Sequence, residues 1–122
     1  MTASILTVDD SPSLRMAIRI ALTGAGYDVT EASDGHEGLQ KATSGKFDMI
    51  VTDLNMPVMD GLTMIRELRK SPAQCGTPII FLTTESDDSM KQQAKAAGAT
   101  GWLVKPFVAE QLIKVTRKVL GR

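Results

Sequence analysis

Val51 to Gly61 reads VTDLNMPVMDG, an apolar run that ends in an acid and then turns. The segment Asp48–Thr52, DMIVT, is continuously apolar and β-rich after its first residue, as expected of a strand covered on both faces. It hands over to Asp53, a carboxylate at the tip of a hydrophobic strand. Pro57 and Asp60-Gly61 then turn the chain. Asp60 is placed to cap a helix whose Leu62, Ile65 and Leu68 face inward.

Working outward, the same alternation recurs. Ser4–Val8 (SILTV), Asp28–Ala32 (DVTEA), Pro78–Leu82 (PIIFL) and Thr100–Val104 (TGWLV) are the other strand candidates. DVTEA alternates polar and apolar residues, which places it at a sheet edge. Between the strands lie helical stripes. Leu14, Ala17, Ile18, Ala21, Leu22 and Ala25 share one face, with Ser11 as N-cap, Pro12 at the first helical position and Gly24 and Gly26 as the stop. Asp34 with Glu37 forms a capping-box pattern for a second helix running to Ser44. A fourth helix, Asp87 to Ala97, has little to bury beyond Met90, Ala94 and Ala97. The last carries Leu112, Ile113, Thr116, Val119 and Leu120. Strand and helix alternate throughout, which implies an α/β fold with a parallel sheet covered on both faces.

Composition narrows the function. The 122 residues are expected to form one domain, 1–122, with no separate output module. The chain is 43% hydrophobic and 23% charged, as soluble globular chains are. Lys+Arg and Asp+Glu are both 14, so no basic excess suggests a nucleic-acid partner. Cys75 is the only cysteine and His36 the only histidine, which excludes an internal disulfide and a Cys-based zinc site. The expected setting is the reducing cytoplasm, without membrane insertion: MTASILTVDD has neither the basic start of a signal peptide nor the length of a span. Gly24-Ala25-Gly26 follows a helix and is no dinucleotide fingerprint.

In an open parallel sheet, ligands bind beyond the carboxyl ends of the strands. There the sequence places Asp9-Asp10, Asp53, Thr83-Thr84 and Lys105-Pro106. Clustered carboxylates disfavour one another's charge, and a hard divalent cation such as Mg²⁺ relieves the repulsion. A lysine and a hydroxyl beside them describe a phosphoryl site, and an aspartate in such a site can be the nucleophile. Asp53, flanked by apolar residues on the central strand, is the best candidate. Taken singly, Asp9 and Asp10 read as helix caps, Asp53 as a turn cap, Thr83 as a helix-start residue and Lys105 as a solvated lysine. Their joint placement favours phosphoryl chemistry.

The segments ILTVDDS, DMIVTDLNMPVMDG, PIIFLTT and GWLVKPF, in this order and spacing, resemble the receiver domain of bacterial response regulators, and within it the single-domain, CheY-like chemotaxis type. The resemblance covers the whole chain. It implies a flavodoxin-like (βα)5 fold, a five-stranded parallel sheet in the order 2-1-3-4-5. It implies that Asp53 accepts a phosphoryl group from a CheA-like histidine kinase. Asp10, Asp53 and the Asn55 backbone carbonyl would bind Mg²⁺, and Asp9 would act mostly through water. Lys105 would contact a phosphoryl oxygen and precede Pro106 through a cis peptide bond. Asn55, Glu85 and Thr84 would set the rate of hydrolysis. Thr83 and Trp102 would be the switch, Trp102 turning inward so that the helix 4, strand 5 and helix 5 face changes for its partner. Trp102 stands where tyrosine or phenylalanine is more usual, and Thr84 where a smaller residue is.

The resemblance further implies a phosphorylation-activated signalling protein that promotes only its own phosphorylation and dephosphorylation. Its partners would be the kinase, a phosphatase, and the flagellar motor switch or another protein effector. A phosphorelay intermediate or phosphate sink, with no effector of its own, is the alternative. A phosphatase of the haloacid-dehalogenase type needs a second acid two residues after the nucleophile, and Asn55 stands there.

Overall fold

A computed structural model describes residues 2–54, 56, 58–71, 76–83 and 88–121, with Met90 by its backbone alone. Asn55, Pro57, Cys75, Thr84, Glu85 and Asp87, all named above, lie outside the described residues.

The chain order is β1 (Ser4–Val8), α1 (Pro12–Gly24), β2 (Asp28–Ala32), α2 (Gly35–Ser44), β3 (Met49–Asp53), α3 (Gly61–Lys70), β4 (Ile79–Thr83), α4 (Asp88–Ala97), β5 (Gly101–Val104) and α5 (Ala109–Leu120). The strands form one parallel sheet in the order β2-β1-β3-β4-β5, the flavodoxin-like arrangement. DVTEA lies at an edge, as its alternation predicts. β3 and β4 are buried at every position.

Two apolar layers hold the sheet. On one face Leu6, Val8, Ile50, Ile79 and Phe81 pack with Ala42 of α2, Met64, Ile65 and Leu68 of α3, and Ala94 of α4. On the other Ile5, Met49, Val51, Ile80 and Leu82 pack with Ile18 and Leu22 of α1 and Leu112 of α5. Each fully buried Leu, Ile, Val or Met side chain contributes about 1.5–3 kcal/mol of transfer free energy. Leu62 is half-buried, and Met64, absent from the predicted α3 stripe, takes a core position.

Three strands begin one residue later than expected. Asp48 stays below the ladder because its carboxylate accepts from the Ser4 N–H at 2.7 Å. Pro78 has no N–H to contribute, although its carbonyl accepts from Ile50 at 2.9 Å. Thr100 turns its hydroxyl to the Ile79 N–H at 3.0 Å. At the other end β3 and β4 each run one residue further, so Asp53 pairs with Leu82 and Thr83 with Val104 inside the ladder. Asp53 and Thr83 are therefore held by sheet geometry rather than by loops.

The caps match the sequence. Ser11 Oγ accepts from the Leu14 N–H, and Pro12 opens α1. Gly26, with φ of 98°, lies just past its end in the left-handed region that glycine tolerates. Asp34 accepts from the Glu37 N–H at 2.8 Å. The return bond differs from the predicted box: Glu37 Oε1 accepts from the Ser33 N–H at 2.6 Å and the Ser33 hydroxyl at 2.8 Å, one residue upstream of the cap.

Candidate phosphoryl and metal site

β1 and β3 are neighbours, so the ends of these strands bring Asp9, Asp10 and Asp53 together. One carboxylate oxygen from each lies within 4.8 Å of the others. Asp9 is 1% exposed and Asp53 is buried. Asp10 is exposed at the mouth.

Asp9 is gripped at several points. Its N–H donates to the Ala32 carbonyl at 3.1 Å, and its Oδ1 accepts from the Ser11 N–H at 2.8 Å. Its Oδ2 is buried without a hydrogen-bond partner among the described residues, and the Lys105 ammonium stands 4.0 Å away. Burial pushes the Asp9 carboxyl above the ordinary aspartate range. The charges of Asp53 and Asp10 add to that rise, while the Ser11 N–H and Lys105 oppose it.

Lys105 Nζ donates to Asp53 Oδ2 at 3.0 Å. The Lys105 N–H donates to the Thr83 carbonyl at 2.7 Å, which ties the lysine to the buried end of β4. The Lys105-Pro106 bond is cis, as the resemblance implies. On the far side of Asp53 the chain returns tightly. The Thr52 hydroxyl donates to the Asp53 carbonyl at 2.9 Å, and the Gly61 N–H donates to the Leu54 carbonyl at 3.0 Å. A Cβ on Gly61 would stand 2.1 Å from the Asp53 carbonyl oxygen. Only glycine lets α3 begin against the phosphoacceptor candidate. Met56 and Met59 pack against the core layer that includes Met64 and Ile65 of α3.

These observations fit a hard divalent cation. The donors are carboxylate oxygens, three of them converge, and one is a buried carboxylate with an oxygen unsatisfied among the described residues; each is what such a cation remedies. Asn55, the remaining ligand implied, lies outside the described residues, as do Thr84 and Glu85.

Trp102, on β5, pairs in register with Phe81. It is 43% exposed, and its ring lies 6.2 Å from the Phe81 ring, tilted by 32°. Here the indole sits outward, with Lys91 of α4 over it. His36 is an exposed residue of α2.

Two contributors were not foreseen. Arg15 donates to the Asp9 carbonyl at 2.6 Å, and Gly61 makes room for Asp53. The Asp-Gly pair marks a turn and flags Gly61. A side chain that bonds a main-chain carbonyl leaves no pattern in the sequence.

Comparison with known proteins agrees with this geometry. The family model "Response regulator receiver domain" matches residues 5–117. The response regulator ArlR of Staphylococcus aureus is 38% identical over 118 residues, covering 97% of this chain and 52% of that protein. The chain thus spans about half the length of the curated relatives it matches. Among solved structures, the chemotaxis response regulator CheY4 of Vibrio cholerae is 48% identical, with a TM-score of 0.95 over 98% of this chain and 100% of that one. The receiver domain of the sensor histidine kinase PA1611 of Pseudomonas aeruginosa is 30% identical, with a TM-score of 0.92 over 100% of both chains. That neighbour holds a magnesium ion in its active-site cleft.

Proposed function

The chain belongs to the response regulator receiver domain family, and from that membership we propose that Asp53 is the residue phosphorylated by a histidine kinase. The observation that carries the reading is the Lys105 ammonium, 3.0 Å from the Asp53 carboxylate and beside the Asp9 and Asp10 acids.

An Asp53 carboxylate oxygen attacks the phosphorus of a phosphohistidine. The O–P bond forms, the P–N bond breaks, and the departing imidazole nitrogen takes up a proton. Asp10, Asp53 and the Asn55 carbonyl would hold Mg²⁺, with Asp9 acting through water. When bound, that ion supplies positive charge to the transferring group. Lys105 brings a second positive charge to the same oxygens, and the strand ends keep acceptor and charges in register before the donor arrives. The chain thus promotes its own phosphorylation. Water later cleaves the aspartyl phosphate, at a rate set by Asn55, Thr84 and Glu85.

The output is a change in the face made by α4, β5 and α5, with Thr83 and Trp102 as the moving parts. α4 suits that role: of its described side chains only Ala94 is fully buried. The likeness to a chemotaxis regulator supports the flagellar motor switch as the partner, with a CheA-like kinase upstream, a phosphatase to end the signal, and the cytoplasm as the setting. Among the described residues no helix is long and apolar enough to cross a membrane.

The test is Trp102 fluorescence on adding Mg²⁺ and then beryllofluoride, in wild type and Asp53→Asn. The reading expects a response to each addition in wild type and loss of the beryllofluoride response in the variant. An unchanged beryllofluoride response in Asp53→Asn would refute it. Binding of a motor-switch peptide only to the beryllofluoride form supports the chemotaxis output. Rapid return of the phosphoryl group to a histidine phosphotransfer domain, with no peptide binding, would point instead to a relay or sink.

A further inference from the structure

We propose that Arg15 is a positioning residue for the acidic site, holding the peptide plane between Asp9 and Asp10 and thereby aiming both carboxylates. The inference rests on reading the cluster as a divalent-cation site.

Arg15 lies on α1, and its side chain is only 18% exposed although it carries a charge. Its Nη1 donates to the Asp9 carbonyl at 2.6 Å, a short, charge-assisted bond. That carbonyl belongs to the same planar amide as the Asp10 nitrogen. Fixing the plane therefore fixes where Asp10 departs from the chain. Asp10 depends on this, because no side-chain partner holds its carboxylate among the described residues; its direction is set through its backbone. Asp9 benefits too. With its N–H on Ala32, Oδ1 on Ser11 and carbonyl on Arg15, the remaining polar atom is Oδ2, which lies 4.0 Å from the Lys105 ammonium.

A guanidinium beside a cation site would ordinarily be counterproductive. Here its charge is balanced by Glu31. Arg15 Nε lies 3.7 Å from Glu31 Oε1 on β2, and Arg19 Nε lies 3.7 Å from Glu31 Oε2. The Glu31 carbonyl in turn accepts from Lys41 of α2. Arg15 thus ties the site to β2 through Glu31. A base near a helix N-terminus runs against the helix dipole. Its position there is accounted for by what it holds.

Magnesium binding to the full chain, measured by calorimetry, tests this in wild type, Arg15→Gln, Arg15→Lys and Glu31→Gln. Outer partners of metal ligands typically contribute 10–100-fold in affinity, so Arg15→Gln is expected to weaken binding about tenfold. Arg15→Lys keeps one donor for the Asp9 carbonyl and should recover part of the loss. Glu31→Gln leaves that bond intact and removes only the balancing charge, so it should weaken binding less than Arg15→Gln does and leave the Asp10 amide resonance near its wild-type position. The Asp10 amide nitrogen resonance, which reports the bond to its own peptide carbonyl, should move in Arg15→Gln and return toward wild type in Arg15→Lys. A purely structural role would lower the melting temperature without moving magnesium affinity, and that result overturns the inference. Tighter binding in Arg15→Gln also overturns it, because Arg15 would then act as a repelling charge. If Arg15→Gln does not fold, failure of Arg15→Lys to alter either affinity or the Asp10 resonance counts against the proposal. A wild-type chain that binds no magnesium refutes the metal reading and this inference with it; binding that is indifferent to Arg15 refutes this inference alone.

Discussion

The ammonium of Lys91 lies 4.8 Å from the centroid of the Trp102 ring, joining α4 to β5 across the face proposed to change on phosphorylation. An exposed cation–π contact of this kind stabilises by about 0.5–1 kcal/mol. It exists only while the indole is outward. If Trp102 turns inward on activation, the contact opposes the turn by its own strength and no more. Lys91→Met should therefore lower the beryllofluoride concentration giving half the Trp102 fluorescence change by about two- to fivefold. An unchanged midpoint would mean that the contact is equally strong in both states, or that Trp102 does not move.

Val58 sits at φ of 70° and is 82% exposed. A β-branched side chain in the left-handed region is sterically strained, and this one has no burial to offset the strain. Val58→Asn should raise stability by about 1 kcal/mol in urea unfolding, since asparagine tolerates this conformation. A loss of stability would show that Val58 makes a contact worth more than the strain.

Asp9 makes the metal-free fold sensitive to pH in a definite direction. Its folded pKa is raised above 3.8, chiefly by burial. Its contribution to stability is thus most favourable below that value and is lost as pH rises through the raised folded pKa. At neutral pH its charge costs stability, so Asp9→Asn should melt higher than wild type without magnesium. Magnesium should reverse the order by stabilising wild type, by about 2.7 kcal/mol at a hundred times its Kd. Thermal melts at pH 7 with EDTA and with magnesium measure both effects. A lower melting point for Asp9→Asn in EDTA contradicts the argument.

Glu37 behaves in the opposite sense. The Ser33 backbone N–H, then the Ser33 hydroxyl, lower its pKa from 4.5 to about 2. Its stabilising contribution is full above the unfolded value of 4.5 and is lost as pH falls through about 2. The group is partly exposed, so solvent screening keeps the effect small. An NMR titration should find the Glu37 carboxyl midpoint near 2, moving back toward 4.5 in Ser33→Ala. A wild-type midpoint near 4.5 would rule out the Ser33 bonds in solution.

The parts of this molecule that were legible in its sequence are those governed by period and by position along the chain. DVTEA alternates and lies at an edge; DMIVT and PIIFL are continuous and central. Ser11, Asp34 and Asp60 cap because short acceptors before a helical stripe have a donor to meet. Asp9, Asp10, Asp53, Thr83 and Lys105 could be grouped because strands of a parallel sheet all end on the same side. What escaped depends on three-dimensional choices with no period. The bond from Arg15 goes to a main-chain carbonyl. The contact of Lys91 with the Trp102 ring comes from a lysine on another element. The positive φ of Val58 violates local preference, and the shifted partner of Glu37 turns on the path of a single residue.

The most direct measurement is the location of the phosphoryl group itself. The chain is incubated with acetyl phosphate and magnesium, the acyl phosphate is trapped by borohydride reduction, and the modified residue is mapped by peptide mass spectrometry. The account predicts homoserine at position 53 alone, in magnesium but not in EDTA, and none in Asp53→Asn. Reduction product at a different residue, or labelling of Asp53 that is indifferent to magnesium, would contradict it.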